Sequence, residues 1–375
     1  MAKTARERDL RLDFFRGIAL IFIFVDHIPA NKLAQFTLGS WSFCDAAEMF
    51  VFISGYTAAL VFGQMTARLG FGLTTLRVLS RCWVLYVAHV FLFVAFTAQV
   101  AFTAERFANP MFVEEMSVDK FLAAPHLAVI NALLLTFQPA FMDILPLYIV
   151  LMLLLALLLP MIARAPWAAV GLSFLLYLVA QRRGLNLPTY PDGHWFFNPF
   201  AWQFLFILGA CLGYPRELPF PSWLDRRFVL WLAVAIVAAS ALGRLLLSMV
   251  YWLNLDWPRF ARMLWWGLSK TTLGPYRLVN FLALAYVAST IVKPGAAWLG
   301  SRLVRPITRM GQNSLYIFCL GIFLSYLGHL YLVEFHSGTF AHLGVSAVGV
   351  AVMAAVAGMM DWVRRAEARR RVSTG

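Results

Sequence analysis

One repeated feature limits most of what this chain can fold into. Apolar runs close to or longer than a bilayer crossing, which takes about 20 helical residues, recur from Phe14 to Val363. The residues are 61% hydrophobic and 13% charged, more apolar surface than a soluble domain can use. A transmembrane β-barrel would show short alternating segments, and the sequence has none. The expected fold is an all-α polytopic integral membrane protein.

Spans are expected at about 14–28, 46–64, 78–102, 143–162, 167–180, 200–213, 228–251, 276–292, 314–333 and 340–363. Pro29 cannot continue the first helix and biases Ile28 away from helical geometry. Residues 121–142, broken by Pro125 and Pro139, could cross or could form a re-entrant or interfacial helical segment. Charge arbitrates. With the N-terminus in the cytoplasm and 121–142 not crossing, most of the 31 Lys and Arg fall inside. They include Lys3 to Arg16, Arg68, Arg77, Arg81, Arg164, Arg216, Arg226, Arg227, Lys293, Arg302 to Arg309 and the tail from Arg364. The acidic stretch 103–120 falls outside. The positive-inside rule thus favours about ten spans with both ends cytoplasmic.

The same rule explains the net charge of +13, so a nucleic-acid partner is not expected. The basic N-terminus leads into a span with no small-residue cleavage site, which reads as a retained helix. Cys44, Cys82, Cys211 and Cys319 form no CxxC, and the histidines lack ligand spacing, so no metal is expected. The chain reads as one membrane domain, 1–375. A cytoplasmic N-terminus (1–13) and a basic tail (364–375) flank the helical bundle (14–363).

Ionisable groups at membrane depth are functional candidates. Arg16, Asp26 and His27 lie on the first span, and Asp45 and Glu48 open the second. Arg16 and His27 are eleven residues apart, about 20° from whole turns, so they share a face with an axial separation of roughly 16 Å. Asp13 falls within about 40° of His27 on that stripe. Asp26 points about 100° away from His27, which makes it the weaker orienting partner. Glu48, across a short loop, is the better candidate to hold one ring nitrogen and leave the other as a base. From these residues alone three readings stay open: catalysis, a transport or proton-relay site, and interfacial anchoring.

The stretches RLDFFRGIALIFIFVDHIP, AEMFVFISGY, MDILPLYIV, NPFAWQFLFILG and GQNSLYIF resemble the membrane-bound periplasmic glucan succinyltransferases, within the wider acyltransferase-3 group. That group's hallmark, a basic residue, ten residues and then histidine, is matched by Arg16 and His27. Its Phe-Phe-x-x-Ser-Gly-aromatic stretch is similar to Phe50–Tyr56. The resemblance spans nearly the whole chain. It implies an O-acyltransferase of the bacterial inner membrane moving a succinyl group from cytoplasmic succinyl-coenzyme A to hydroxyls of a periplasmic glucan. Acyl-coenzyme A is then a co-substrate, with no tightly bound cofactor. His27 would be the base and Glu48 its orienter; Asp26, the weaker partner by helix geometry, stays among the catalytic candidates. Arg16, Arg77, Arg81, Arg305 and Arg309 are candidates for the coenzyme A phosphates.

The substrate side has its own candidates. Asp143, beside Pro146, could bind sugar hydroxyls or cap a helix. Trp195, Asn198, Trp202 and Gln203 combine aromatic faces with amides, as sugar binding requires and as an interfacial aromatic belt also would. Lys270 and Arg277 lie outside against the charge trend. They could bind the acyl carboxylate or an anionic glucan, or pair with Glu115, Asp256 or lipid. Asn313 is first a helix cap and second a pocket residue. The competing class is a transporter or flippase of an acidic or sugar-containing compound, for which polar groups in these spans would line a pathway.

Overall fold

A computed structural model of the protein describes residues 9–215, 227–253 and 265–373. Lys3, Arg6, Arg8, Arg216, Arg226 and Asp256 lie outside the described residues. Within them the chain is helical, with one isolated bridge between Pro188 and His194. The helices used below are α1 (Leu10–Asp26), α2 (Ala46–Arg106), α3 (Pro125–Leu133), α4 (Ile144–Arg164), α5 (Pro166–Arg183), α6 (Pro199–Gly213), α7 (Arg227–Trp252), α8 (Pro275–Ile291), α9 (Arg305–Gln312), α10 (Ser314–Glu334) and α11 (Thr339–Ser373).

Five of these, α2, α4, α7, α10 and α11, are long and apolar enough to cross a membrane. Four further expected spans appear as helices of 15 to 18 residues: α1, α5, α6 and α8. The second and third expected spans are one element, α2, interrupted only at Gly70 with φ 76°. Glycine is the residue that takes this left-handed turn without a Cβ penalty. Residues 121–142 hold no long helix. Their longest, α3, has nine residues. It is therefore about 13 Å long, against a hydrocarbon core of about 30 Å.

Two compact units divide the chain. One gathers residues 1–50, 222–255 and 279–375, and the other 51–221 and 256–278. In the first unit α1 packs on α9 at backbone contact. A Cβ on Gly17 would lie 2.1 Å from the Ile307 carbonyl oxygen, and one on Gly311 would lie 1.8 Å from that of Asp13. Small residues permit such approach between membrane helices. Further along α1, Ser325 of α10 donates to the Phe24 carbonyl at 3.1 Å, and Gly349 of α11 faces the Phe24 ring.

The second unit is closed in the same way. Gly55 of α2 meets the Phe206 carbonyl, while Gly209 and Gly213 of α6 meet those of Phe52 and Tyr56. Gly55 and the Tyr56 backbone of the second span thus serve close packing of α2 on α6. Between α5 and α6, Ser173 Oγ donates to Gln203 Oε1 at 2.5 Å, and Gln203 Nε2 donates to the Ser173 carbonyl at 2.8 Å.

Candidate active site

His27 is the residue that ends α1. Its backbone N–H donates to Ile23 at 3.0 Å, and Ala30 takes a left-handed φ of 56° in the turn that follows. Helix therefore runs from Arg16 to the residue before His27, so the eleven-residue interval places them along one helix as expected. Both side chains are half-buried.

The turn after His27 is fixed by two polar side chains. Asn31 is buried, donates to Ser346 Oγ of α11 at 3.0 Å, and accepts from the Leu33 N–H at 3.1 Å. Thr37 is buried and donates to Asp26 Oδ1 at 2.7 Å. Asp26 is exposed and serves this turn. These bonds tie the end of α1 to α11 and to the loop leading to α2. Sequence reasoning missed Asn31 and Thr37, although a short polar side chain directly after a Pro-broken helix is a local signal for such a cap.

Glu48 is completely buried. Its Oε2 accepts from the Asp45 N–H at 2.9 Å, and Asp45 Oδ1 accepts from the Ala47 N–H at 2.8 Å. This reciprocal pair is a capping box, which satisfies two otherwise unpaired N–H groups at the start of α2. Just before it, Asn280 of α8 holds the loop. Its Oδ1 accepts from Ser42 Oγ at 2.5 Å and from the Cys44 N–H at 3.2 Å. Its Nδ2 donates to Ser240 of α7 at 2.7 Å.

Toward the start of α1, Asp13 is buried and accepts from Gln312 Nε2 at 3.2 Å. Arg309 lies 2.9 Å from Asp361 Oδ2 of α11, close as an ion pair though not aligned as a hydrogen bond. Arg365 pairs with the same carboxylate at 2.5 Å. Arg305 is exposed. Arg77 (exposed) and Arg81 (half-buried) belong to α2 in the other unit, so Arg16, Arg305 and Arg309 form the set within one unit. Asn313 stands at the start of α10 but does not cap it; its Nδ2 donates back to the Arg309 carbonyl at 2.9 Å.

The second unit holds the remaining candidates. Asn198 caps α6 through the Phe200 N–H at 3.0 Å and donates to the Leu185 carbonyl at 2.6 Å. Trp202 is fully buried and donates to the carbonyls of Lys270 and Thr271 at 3.0 and 3.2 Å. With Gln203 bonded to Ser173, the polar groups of these three side chains are engaged inside the fold. Trp195 is buried too, and its indole N–H meets no acceptor among the described residues.

Lys270 is half-buried, with its ammonium 5.7 Å from the Phe197 ring centroid. Asp143 stands just before α4 without capping it. The residue is half-buried. Arg277 is half-buried in the same unit. Among the described residues no three His, Cys, Asp or Glu side chains gather as a metal site.

Fold and site together define a helical membrane protein whose first helix carries an arginine and ends on a braced histidine. The chain belongs to the OpgC protein family, whose model matches residues 8–365. Membership carries a transferase role in the modification of periplasmic glucans. No curated protein and no solved structure matches the chain.

Proposed function

We propose that the protein is an O-succinyltransferase of the bacterial inner membrane, taking succinyl-coenzyme A from the cytoplasm and acylating hydroxyls of a periplasmic glucan. About ten spans with both termini cytoplasmic fit the positive-inside distribution. The observation that carries the reading is α1 itself: one helix holds Arg16 and ends at His27, and that end is braced by Asn31 and Thr37. A general base needs such fixed placement, because proton transfer is efficient only at hydrogen-bond reach.

In the reaction, His27 takes the proton of the acceptor hydroxyl as its oxygen attacks the thioester carbonyl. The tetrahedral intermediate collapses, the C–S bond breaks, and the thiolate leaves with the proton returned from the imidazolium. Glu48 caps α2 with one oxygen and, in this reading, orients His27 with the other. Arg16, with Arg305 on the neighbouring segment, offers positive charge to the coenzyme phosphates.

The test is reconstitution with doubly labelled succinyl-coenzyme A and glucan. Acyl label appearing on glucan together with free coenzyme A supports the transferase. Movement of intact glucan or thioester without cleavage supports a transporter instead.

A further inference from the structure

Beside the start of α1, at the opposite end of that helix from His27, two arginines share one carboxylate oxygen. Asp361 Oδ2 of α11 lies 2.9 Å from Arg309 Nε of α9 and 2.5 Å from Arg365 Nη2 of its own helix. The side chains are 26% exposed for Arg309, 56% for Arg365 and 14% for Asp361, so the arginines stand outward of the acid. The first unit contains all three, where α9 meets α1 at Asp13 and Gly17.

The acid uses its partners poorly. Arg309 aims no N–H along its short contact, and Arg365 reaches the same oxygen through one nitrogen. Neither makes the paired, parallel hydrogen bonds that a guanidinium offers a carboxylate or a phosphate. Positive charge also exceeds negative here. Arg305 lies one turn before Arg309 on α9, Arg364 adjoins Arg365 on α11, and both are exposed. Glu367, the next acid along α11, points about 120° away from Asp361 around that helix. Two guanidinium groups meeting at one anionic oxygen is the donor arrangement a phosphate takes. A phosphate monoester brings about two negative charges and three acceptor oxygens, more than a carboxylate supplies. Partly exposed ion pairs are weakly held, which leaves this one open to exchange.

We propose that Arg309 and Arg365 form a phosphate subsite, and that Asp361 is its built-in counter-anion, yielding both arginines when a phosphate ester binds. The phosphate is carried by the acyl donor, coenzyme A, or by an anionic lipid headgroup at the same membrane edge. Assignment to the donor rests on the transferase reading, while the subsite itself does not. Asp361 thereby works against binding and discriminates against anions too weak to displace it.

The experiment is equilibrium binding to the full-length protein in detergent at one fixed ionic strength. The probes are coenzyme A and pantetheine, which has no phosphate. In parallel, phosphatidylglycerol in mixed micelles is compared with zwitterionic phosphatidylcholine. Asp361→Asn keeps the shape of the side chain and removes its charge. It is expected to tighten binding of an anionic probe by about three- to tenfold and to leave pantetheine and phosphatidylcholine unchanged. Arg309→Gln or Arg365→Gln weakens the same probe about tenfold, and with both arginines replaced the gain from Asp361→Asn disappears. A gain on coenzyme A assigns the phosphate to the donor, and a gain on phosphatidylglycerol assigns it to lipid. No gain in Asp361→Asn protein that melts like the wild type, an equal gain on pantetheine, or a gain that survives loss of both arginines overturns the proposal. So does unchanged affinity for both anionic probes in Arg365→Gln, a substitution at an exposed position that leaves the fold in place. Acyl transfer to glucan is read separately. A protein that shows the exchange but transfers nothing refutes the transferase reading alone, and one that transfers without the exchange refutes the subsite alone.

Discussion

Gly311→Ala offers the sharpest structural perturbation. The added Cβ would sit 1.8 Å from the Asp13 carbonyl oxygen, and ordinary contact begins near 3.4 Å. About 1.6 Å must then be found by separating α9 from α1, since the atom met is backbone and cannot rotate away. Gly17→Ala faces the same demand against Ile307, starting from 2.1 Å. Overpacking by one carbon typically costs about 1–3 kcal/mol, and a backbone clash belongs at the upper end. The control is Gly358→Ala on α11, whose Cβ would meet only the end of the Arg309 side chain at 3.9 Å. There the helix gains roughly 0.5–1 kcal/mol from replacing glycine. Thermal unfolding of the purified proteins in one detergent should place Gly311→Ala well below wild type and Gly358→Ala at or above it. Because α1 also carries His27, a shift of about 1 Å would lower transfer by up to about 100-fold in protein that is still folded. Equal stability of the two variants would refute close helix contact at Gly311.

Further outcomes are expected. Glu48→Ala loses the cap on Asp45 and about 1–2 kcal/mol of stability. Glu48→Gln keeps an acceptor there and stays folded, so a fall in kcat for Glu48→Gln at unchanged stability would isolate its charge as the element acting on His27. Asp361→Ala breaks the pairs with Arg309 and Arg365, both partly exposed, and should cost only about 1 kcal/mol. A much larger loss would mean that Arg309 is left buried and uncompensated.

The apolar periodicity located the helices well, because a span must satisfy its own backbone in place and so declares itself locally. Where the reading missed, the deciding physics was elsewhere. Residues 65–77 read as a loop because Arg68 and Arg77 mark a membrane edge, yet charge sets orientation and not the end of a helix; only Gly70 interrupts it. The short α9 escaped notice because it is polar overall and holds no apolar run, although Pro306 in its first turn was a legible start. Asp45 and Glu48 spell a capping box in sequence, a local motif that the interest in Glu48 as an acid obscured. The side chains of Asn198, Trp202 and Gln203 read equally as a sugar platform or as part of an interfacial belt. That they face inward, toward Leu185, Lys270 and Ser173, depends on contacts between segments far apart in the chain, which no local pattern encodes.

The central claim is that His27, at the braced end of α1, is the base of an acyl transfer. Its direct measurement is the rate at which label moves from succinyl-coenzyme A to glucan in wild-type and His27→Ala protein, matched for thermal stability. A base of this kind contributes about 10²–10⁴-fold, so the variant should retain its fold and thioester binding while transfer falls by that factor. Transfer at the wild-type rate by a folded His27→Ala protein would contradict the account.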